Sequence, residues 1–438
     1  RGPLGEALAV VQRSPVSGLI EGALAKAVGT GPADVRLKLA LPIDRLERST
    51  VQGAVTLAGN DVQITPDSPA FSRARGKITF SDRGFSLAGV QARALGGDVR
   101  VGGRTRAAGY VTIVVVRAQG MASAEGLRQA RELGSVAGLA RHASGAAAYV
   151  ANVTFRRGTP EVQVSSNLQG LALDLPPPLA KPANTPMPLR YQNTLLRDAA
   201  SGPAGMDQLS LELGQAALVQ FVRDTSGAEP RVLRGAIAVG LASGEASVLP
   251  AEGVSANIRL GAANLDAWQR VFDSVAAAAP SAPARARSPA GSADPSRSYL
   301  APTFSLRASE LTVEGRTLHD VVVGGSREGL VWRGNVDAQE LSGHVEYRQS
   351  RGAGAGRVHA RLARLSIGGA TASAVETLLD EQPGSIPALD VIVDDFELRG
   401  RKLGRLEIDA INRGGNAVVR EGGIRGWRVH KPGLDTPE

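Results

Sequence analysis

The sequence predicts a mainly β protein: an elongated, strongly curled antiparallel β-sheet, a groove or taco-like repeat body, with a few short helices. Three observations predict it. Apolar residues recur at every second position along most of the chain, as in Val35-Arg36-Leu37-Lys38-Leu39-Ala40-Leu41, the period that gives a strand one apolar face. Helical spacing is confined to brief stretches. A strand-turn-strand unit at residues 91–101 (Gln-Ala-Arg-Ala-Leu-Gly-Gly-Asp-Val-Arg-Val) returns in weaker form at 337–347 (Asp-Ala-Gln-Glu-Leu-Ser-Gly-His-Val-Glu-Tyr), as expected of a body that grows by stacking.

Taken in order, residues 1–30 read as a helical segment, with Leu4, Leu8 and Val11 at helical spacing before Pro15 interrupts. Residues 31–120 form a first groove section of alternating strands. A helical interlude at 121–145 follows, with an apolar stripe of Leu127, Leu133, Val136 and Leu139 and with Gly126 and Gly134 weakening it. A second groove section covers 146–276. In it Pro176-Pro177-Pro178 takes the chain out of the sheet, and Asn264 caps a short helix near 263–276 whose Leu265, Trp268 and Phe272 share a face. Residues 277–298 are Ala, Pro, Ser and Arg, a composition with no core to bury, and read as a disordered linker. Residues 299–438 return to strands, with 303–307 and 309–314 read as separate ones.

This pattern poses a physical problem. Each buried Leu or Val is worth about 1.5–3 kcal/mol, and the few helices cannot cover so many apolar faces. The sheet can pair with a second sheet as a sandwich, curl on itself as a barrel or trough, or hold an apolar ligand along its length. Sandwich cores recruit aromatics, yet aromatics are only 4% of this chain. The inward positions are mostly Val, Leu, Ile and Ala, a smooth surface suited to sliding acyl chains.

Composition excludes several functions. There is no cysteine among 438 residues, which removes thiolate catalysis, disulfides and cysteine-bound metals. The formal charge is +8, from 50 basic and 42 acidic residues, but the cations are dispersed and lack the interleaved aromatics of a nucleic-acid binder. No catalytic motif is present. His142, His319, His344, His359 and His430 show no metal-ligand spacing, and Asp390, Asp394 and Asp395 lie along an alternating strand, outside any calcium-loop order. No catalytic, cofactor or metal residue is therefore assigned. No apolar run reaches the roughly 20 residues that span a bilayer. The chain opens at Arg1 and reads as an internal fragment, so targeting and anchoring segments are expected outside it.

Ordered stretches of the sequence resemble a known family. A helix with the Ser14-Pro15 step precedes a Leu-rich strand ending at Pro42. Gly76-Lys77-Ile78-Thr79-Phe80 is followed by Ala94-Leu95-Gly96-Gly97, and Leu168-Gln169-Gly170-Leu171 leads into Leu175-Pro176-Pro177-Pro178. Ile386-Pro387-Ala388-Leu389-Asp390 precedes Leu403-Gly404-Arg405-Leu406. In this series the chain is similar to YhdP-type proteins of the AsmA-like family, over most of its length apart from 277–298. The resemblance implies a periplasmic protein anchored to the inner membrane, whose hydrophobic groove moves phospholipid between the inner and outer membranes of a Gram-negative cell. It implies no enzyme activity and no cofactor. The expected partners are phospholipid acyl chains, and both membranes through parts outside this chain, with no nucleic acid.

Strand parity then assigns the groove lining to Leu37, Leu39, Val55, Leu57, Ile78, Phe80, Leu209, Leu211, Val391, Val393, Leu406 and Ile408. A one-residue slip would reverse any of these faces. Two other readings stay open: an assembly factor that cradles unfolded outer-membrane strands by edge pairing, and a closed β-sandwich scaffold.

Overall fold

The computed structural model describes residues 1–13, 23–40, 50–81, 84–108, 111–156, 159–196, 205–227, 229–240, 248–278, 298–350, 356–368, 387–410 and 427–430. These residues are mainly strand, and the chain divides into two compact units, residues 1–231 with 269–293 and residues 232–268 with 294–438. Most of the expected linker, 279–297, lies outside the described residues; its first two residues belong to a helix.

The first unit starts with β1 (Gly2–Pro3), α1 (Leu4–Arg13), β2 (Val28–Thr30) and β3 (Pro32–Ala40). The expected helical segment 1–30 is therefore a single described helix flanked by short strands, with a turn at 23–26. A long antiparallel run follows: β4 (Thr50–Gln63), β5 (Phe71–Ser81), β6 (Gly84–Ala94), β7 (Gly97–Ala108) and β8 (Val111–Ser123). Each pairs with the next in sequence. After a helical excursion come β9 (Ala143–Arg156), β10 (Thr159–Ser166), β11 (Leu171–Leu173), β12 (Leu189–Leu195), β13 (Met206–Leu213) and β14 (Ala217–Asp224). β8 pairs β9, β9 pairs β10, and β10 skips to β12, which continues through β13 to β14. The short β11 sits on the start of β9.

The excursion holds α2 (Ala124–Gln129) and α3 (Ser135–Leu139). Its buried residues are Ala124, Gly126, Ala130, Gly138 and Ala140, while Val136 of the expected stripe is half exposed. The expectation that Gly126 merely weakens the helix is thus corrected. α2 lies so close to the Leu95-Gly96 turn that a Cβ at Gly126 would overlap the Leu95 carbonyl, so close approach, not propensity, selects glycine there. Gly138 likewise admits the Val275 side chain.

The second unit contains β15 (Arg231–Val239), β16 (Gly253–Asn264), β17 (Thr303–Val313), β18 (Arg316–Glu328), β19 (Val331–Asp337), β20 (Leu341–Arg348), β21 (Arg357–Ile367), β22 (Ala388–Leu398), β23 (Arg401–Ala410) and β24 (Trp427–His430). They pair in sequence order. The steps β15 to β16, β16 to β17 and β21 to β22 are parallel, and the others are antiparallel. α4 (Leu265–Ala278) follows β16, and the Asn264 side chain accepts from the Ala267 N–H at 2.8 Å, as its capping position predicts. The face predicted for α4 is not the covered one, however: Leu265 and Phe272 are exposed and Val271 is buried. The two copies of the suspected repeat are both hairpins, but their turns fall at Leu95-Gly96 and at residues 338–340, out of step with the alignment.

Curl is written into the strands as breaks in the period of two. Leu57-Ala58-Gly59-Asn60 and Leu87-Ala88-Gly89-Val90 each read inward, outward, outward, inward, at register shifts between neighbouring strands. The second unit repeats the pattern in Ala308-Ser309-Glu310-Leu311, Leu362-Ala363-Arg364-Leu365 and Val393-Asp394-Asp395-Phe396. Where the register shifts, the extra outward residue is a β-bulge, which bends the strand and raises its twist; at Ala308–Leu311 both neighbours keep register, and the facing β18 breaks its own period in step at Leu318-His319-Asp320-Val321. Apolar residues from both sides of the break then pack together, as Leu306, Ala308, Leu311 and Val313 do in one cluster. This is why 303–307 and 309–314, read as two strands, are one strand with a bend.

One such bend is clamped by a buried amide. Asn60 is 1% exposed; its Oδ1 accepts from Ala58 N–H at 3.0 Å, and its Nδ2 donates to the carbonyls of Thr30 and Pro32 at 3.0 and 3.1 Å. Asn60→Ala is expected to destabilise the first unit by about 1–3 kcal/mol, the cost of stranding buried polar groups. An unchanged urea midpoint would show that the clamp carries no stability.

Candidate functional site

Directly paired residues of neighbouring strands share a face, so the register traces continuous rows across each sheet. In the first unit one row runs Val35, Val55, Ile78, Leu87, Gly103, Val116, Val153, Val162, Asn193, Leu209, Phe221. Beside it runs Val90, Val101, Ala118, Ala151, Val164, Tyr191, Leu211, Val219. On the other face a third row reads Arg117, Asn152, Gln163, Gln192, Ser210, Gln220. From β8 to β14 the two faces are mainly apolar and mainly polar, with Asn193 inside an apolar row and Val222 buried on the opposite face.

The second unit behaves the same way. Ile237, Ala256, Phe304, Gly325, Gly334, Val345, Ala360, Val391 and Ile408 make one apolar row. Ile258, Leu306, Val323, Val336, Gly343, Leu362, Val393 and Leu406 make the next. Its polar face carries Ser326, Arg333, Glu346, His359, Asp390 and Asp409 in one row.

The residues expected to line the groove fall on these apolar rows as follows. Val55 pairs Ile78, and Leu37 and Phe80 both pair Gly53. Leu209 and Leu211 occupy the two rows of the first unit, and Val391 pairs Ile408 as Val393 pairs Leu406. Leu37 is 54% exposed, whereas Leu57, Val393 and Leu406 are buried in protein clusters and present no free surface. Leu39 pairs Val51 by its backbone; its side chain lies outside the described residues.

Part of the first apolar face is roofed by the chain itself. Leu4 and Leu8 of α1 pack over Leu57, Val90 and Val99, and Val11, Ala23 and Leu24 pack over Val114, Phe155 and Val116. The Gln12 side chain ties the roof together by donating to the carbonyls of Leu24 and Ala27 at 2.9 and 3.1 Å. Short helices thus cover more of the sheet than their number suggests. Farther along the rows Val162, Val164, Leu209, Leu211 and Val219 keep part of their surface open.

One feature of this face was missed in the sequence. Asp207 and Arg223, directly paired on β13 and β14, lie in phase with Leu209 and Phe221. Arg223 Nε donates to Asp207 Oδ1 at 2.9 Å and Nη2 to Oδ2 at 2.6 Å, with side chains 12% and 5% exposed. The signal was present: opposite charges occupy the apolar phase of two successive strands.

His319, His344 and His359 lie on the polar face of the second unit, while His142 sits in the helical excursion and pairs with Ser274. β20 and β21 place His344 opposite Arg361 and His359 opposite Glu346, so the two histidines are offset. His359 Nδ1 contacts Asp390 Oδ2 and Arg361 Nη1 donates to Asp390 Oδ1, both at 2.9 Å. The hydrogen bond from Arg361, with that from His359, holds the Asp390 carboxyl below the usual aspartate range. Among the described residues no group of three His, Asp or Glu side chains is placed to hold a metal ion, and no helix is long and apolar enough to cross a membrane.

A family model described as YhdP protein matches residues 1–426. The chain belongs to this family. No curated protein and no solved structure matches it. The family match spans both units, so the two-faced sheets of each are parts of one YhdP-type chain.

The polar face makes a testable electrostatic prediction. His319 Nδ1 lies 2.5 Å from Glu340 Oε1, and this hydrogen bond raises the imidazole above the ordinary histidine value of 6.5. A raised folded-state pKa favours the native state fully below pH 6.5, and the benefit fades as pH climbs through the raised value. NMR titration is expected to show His319 protonated above the ordinary histidine value, with Glu340→Gln lowering its midpoint. Equal titration of His319 in both proteins would refute the coupling.

Proposed function

We propose that the apolar faces of this chain carry phospholipid acyl chains, as a section of a periplasmic conduit between the inner and outer membranes. The supporting observation is the apolar row that runs from Val90 through Val164, Tyr191 and Leu211 to Val219 across successive strands of the first unit, with Val164, Leu211 and Val219 still partly open. A hydrocarbon exposed to water costs about 0.8 kcal/mol per CH2, so a chain of about sixteen carbons crossing an aqueous gap faces roughly 10 kcal/mol or more. A row of Val, Leu and Ala removes most of that barrier. It offers no directional bonds that would hold the chain in one place. The YhdP family match supports this reading, with membrane attachment supplied outside this chain.

Photoreactive residues distinguish the faces. Probes at Leu211 or Val219 are expected to capture phospholipid, and probes at Ser210 or Gln220, on the polar row, are not. Protein adducts at the first pair would favour the strand-cradling reading instead, and lipid adducts at both pairs would sink the facial assignment. Leu211→Glu should lower lipid loading severalfold while leaving the far-ultraviolet circular dichroism nearly unchanged, because a charge on the row must be hydrated.

A further inference from the structure

The Asp207–Arg223 pair sits where an apolar pair would serve stability as well. Taking two charges out of water costs more than their attraction returns unless the geometry is excellent, and apolar residues of similar volume are often neutral or stabilising replacements. β14 runs Ala217, Val219, Phe221, Arg223 along the apolar face, and β13 runs Leu213, Leu211, Leu209, Asp207 beside it. The apolar strip therefore ends at a cation and an anion held side by side, and Asn193 pairs Leu209 one step inside that end.

Resting on the lipid reading above, we propose that Asp207 and Arg223 form a headgroup station for a zwitterionic phospholipid. In it Arg223 takes the phosphate, Asp207 takes a primary ammonium, and the acyl chains lie on the apolar rows. The chemistry fits on both sides. A guanidinium binds phosphate oxygens through paired N–H donors as readily as it binds a carboxylate, and a carboxylate accepts from the three N–H donors of an ammonium. Two opposite charges are released together and two are engaged together, so neither protein charge is left buried without a counter-ion. A purely anionic headgroup would satisfy Arg223 and leave Asp207 facing like charge, which disfavours it. The station thus selects by headgroup at a position whose neighbours select only for hydrocarbon.

The test uses the full chain incubated with vesicles of equimolar phosphatidylethanolamine and phosphatidylglycerol with matched acyl chains, and native mass spectrometry of the lipid it retains. The wild-type protein is expected to enrich the ethanolamine lipid roughly tenfold over the vesicle ratio, the scale of one charge-assisted hydrogen bond. Asp207→Leu with Arg223→Leu is expected to return that ratio to the vesicle's while total loading stays within about twofold, since the acyl surface is kept. The exchange Asp207→Arg with Arg223→Asp retains the pair and is expected to retain the enrichment, and thermal melting of each variant reports folding directly. Loaded wild-type protein with no headgroup enrichment, or enrichment that survives the double leucine change, would overturn the headgroup station and leave the conduit standing. Wild-type protein that retains no lipid would overturn both.

Discussion

Everything in this chain follows from the need to cover the apolar side of a one-layer sheet. A strand with alternating residues is half hydrophobic by construction, and neighbouring strands in register merge those halves into a single surface. In a sandwich a second sheet would shield it. Here the described strands of each unit pair edge to edge in succession, and the shielding comes from bends, from the roof built by α1 and the 23–27 segment, and over β10–β14 only partly from protein.

The bends do much of this covering. Each bulge adds one outward residue and brings the next apolar side chain back toward its predecessors, so that clusters form from a single sheet folded toward its own apolar face. Val393 and Phe396 stand on either side of Asp394-Asp395 and share one cluster with Leu362 and Leu406. The outward pair is solvated, and Asp394 lies 3.5 Å from Arg405 Nη1. What reads as a pair of acids in the sequence is the outer corner of a bend.

Much of this was legible from the residues alone. The β class and the shared phase of Val55 with Ile78 and of Leu209 with Leu211 follow from a period of two, because side-chain direction is set by backbone pleat, whereas the three parallel steps in a sheet expected to be antiparallel do not. The helices were legible only as helices. Their covered sides, at Gly126, Gly138 and Val271, are chosen by how closely another segment approaches, and no local pattern records that distance. The roof over β4–β9 was invisible for the same reason: Leu4, Leu8 and Val11 announce an apolar stripe but not the surface it meets. The Asp207–Arg223 pair could have been found by asking which charged residues fall in the apolar phase.

The three parallel steps have a consequence of their own. Strands that run the same way cannot be joined by a tight turn, so the chain must travel back the full length of a strand before resuming. The connections of these three steps fall between Val239 and Gly253, between Asn264 and Thr303, and between Ile367 and Ala388. Apart from α4, whose Val275 packs on Gly138, these connections join ladders that are held on either side by their own hydrogen bonds. These are the positions where a tag, a fluorophore-bearing insertion or an added module could be grafted while the ladder keeps its register, and where variation in size among kindred chains is best tolerated.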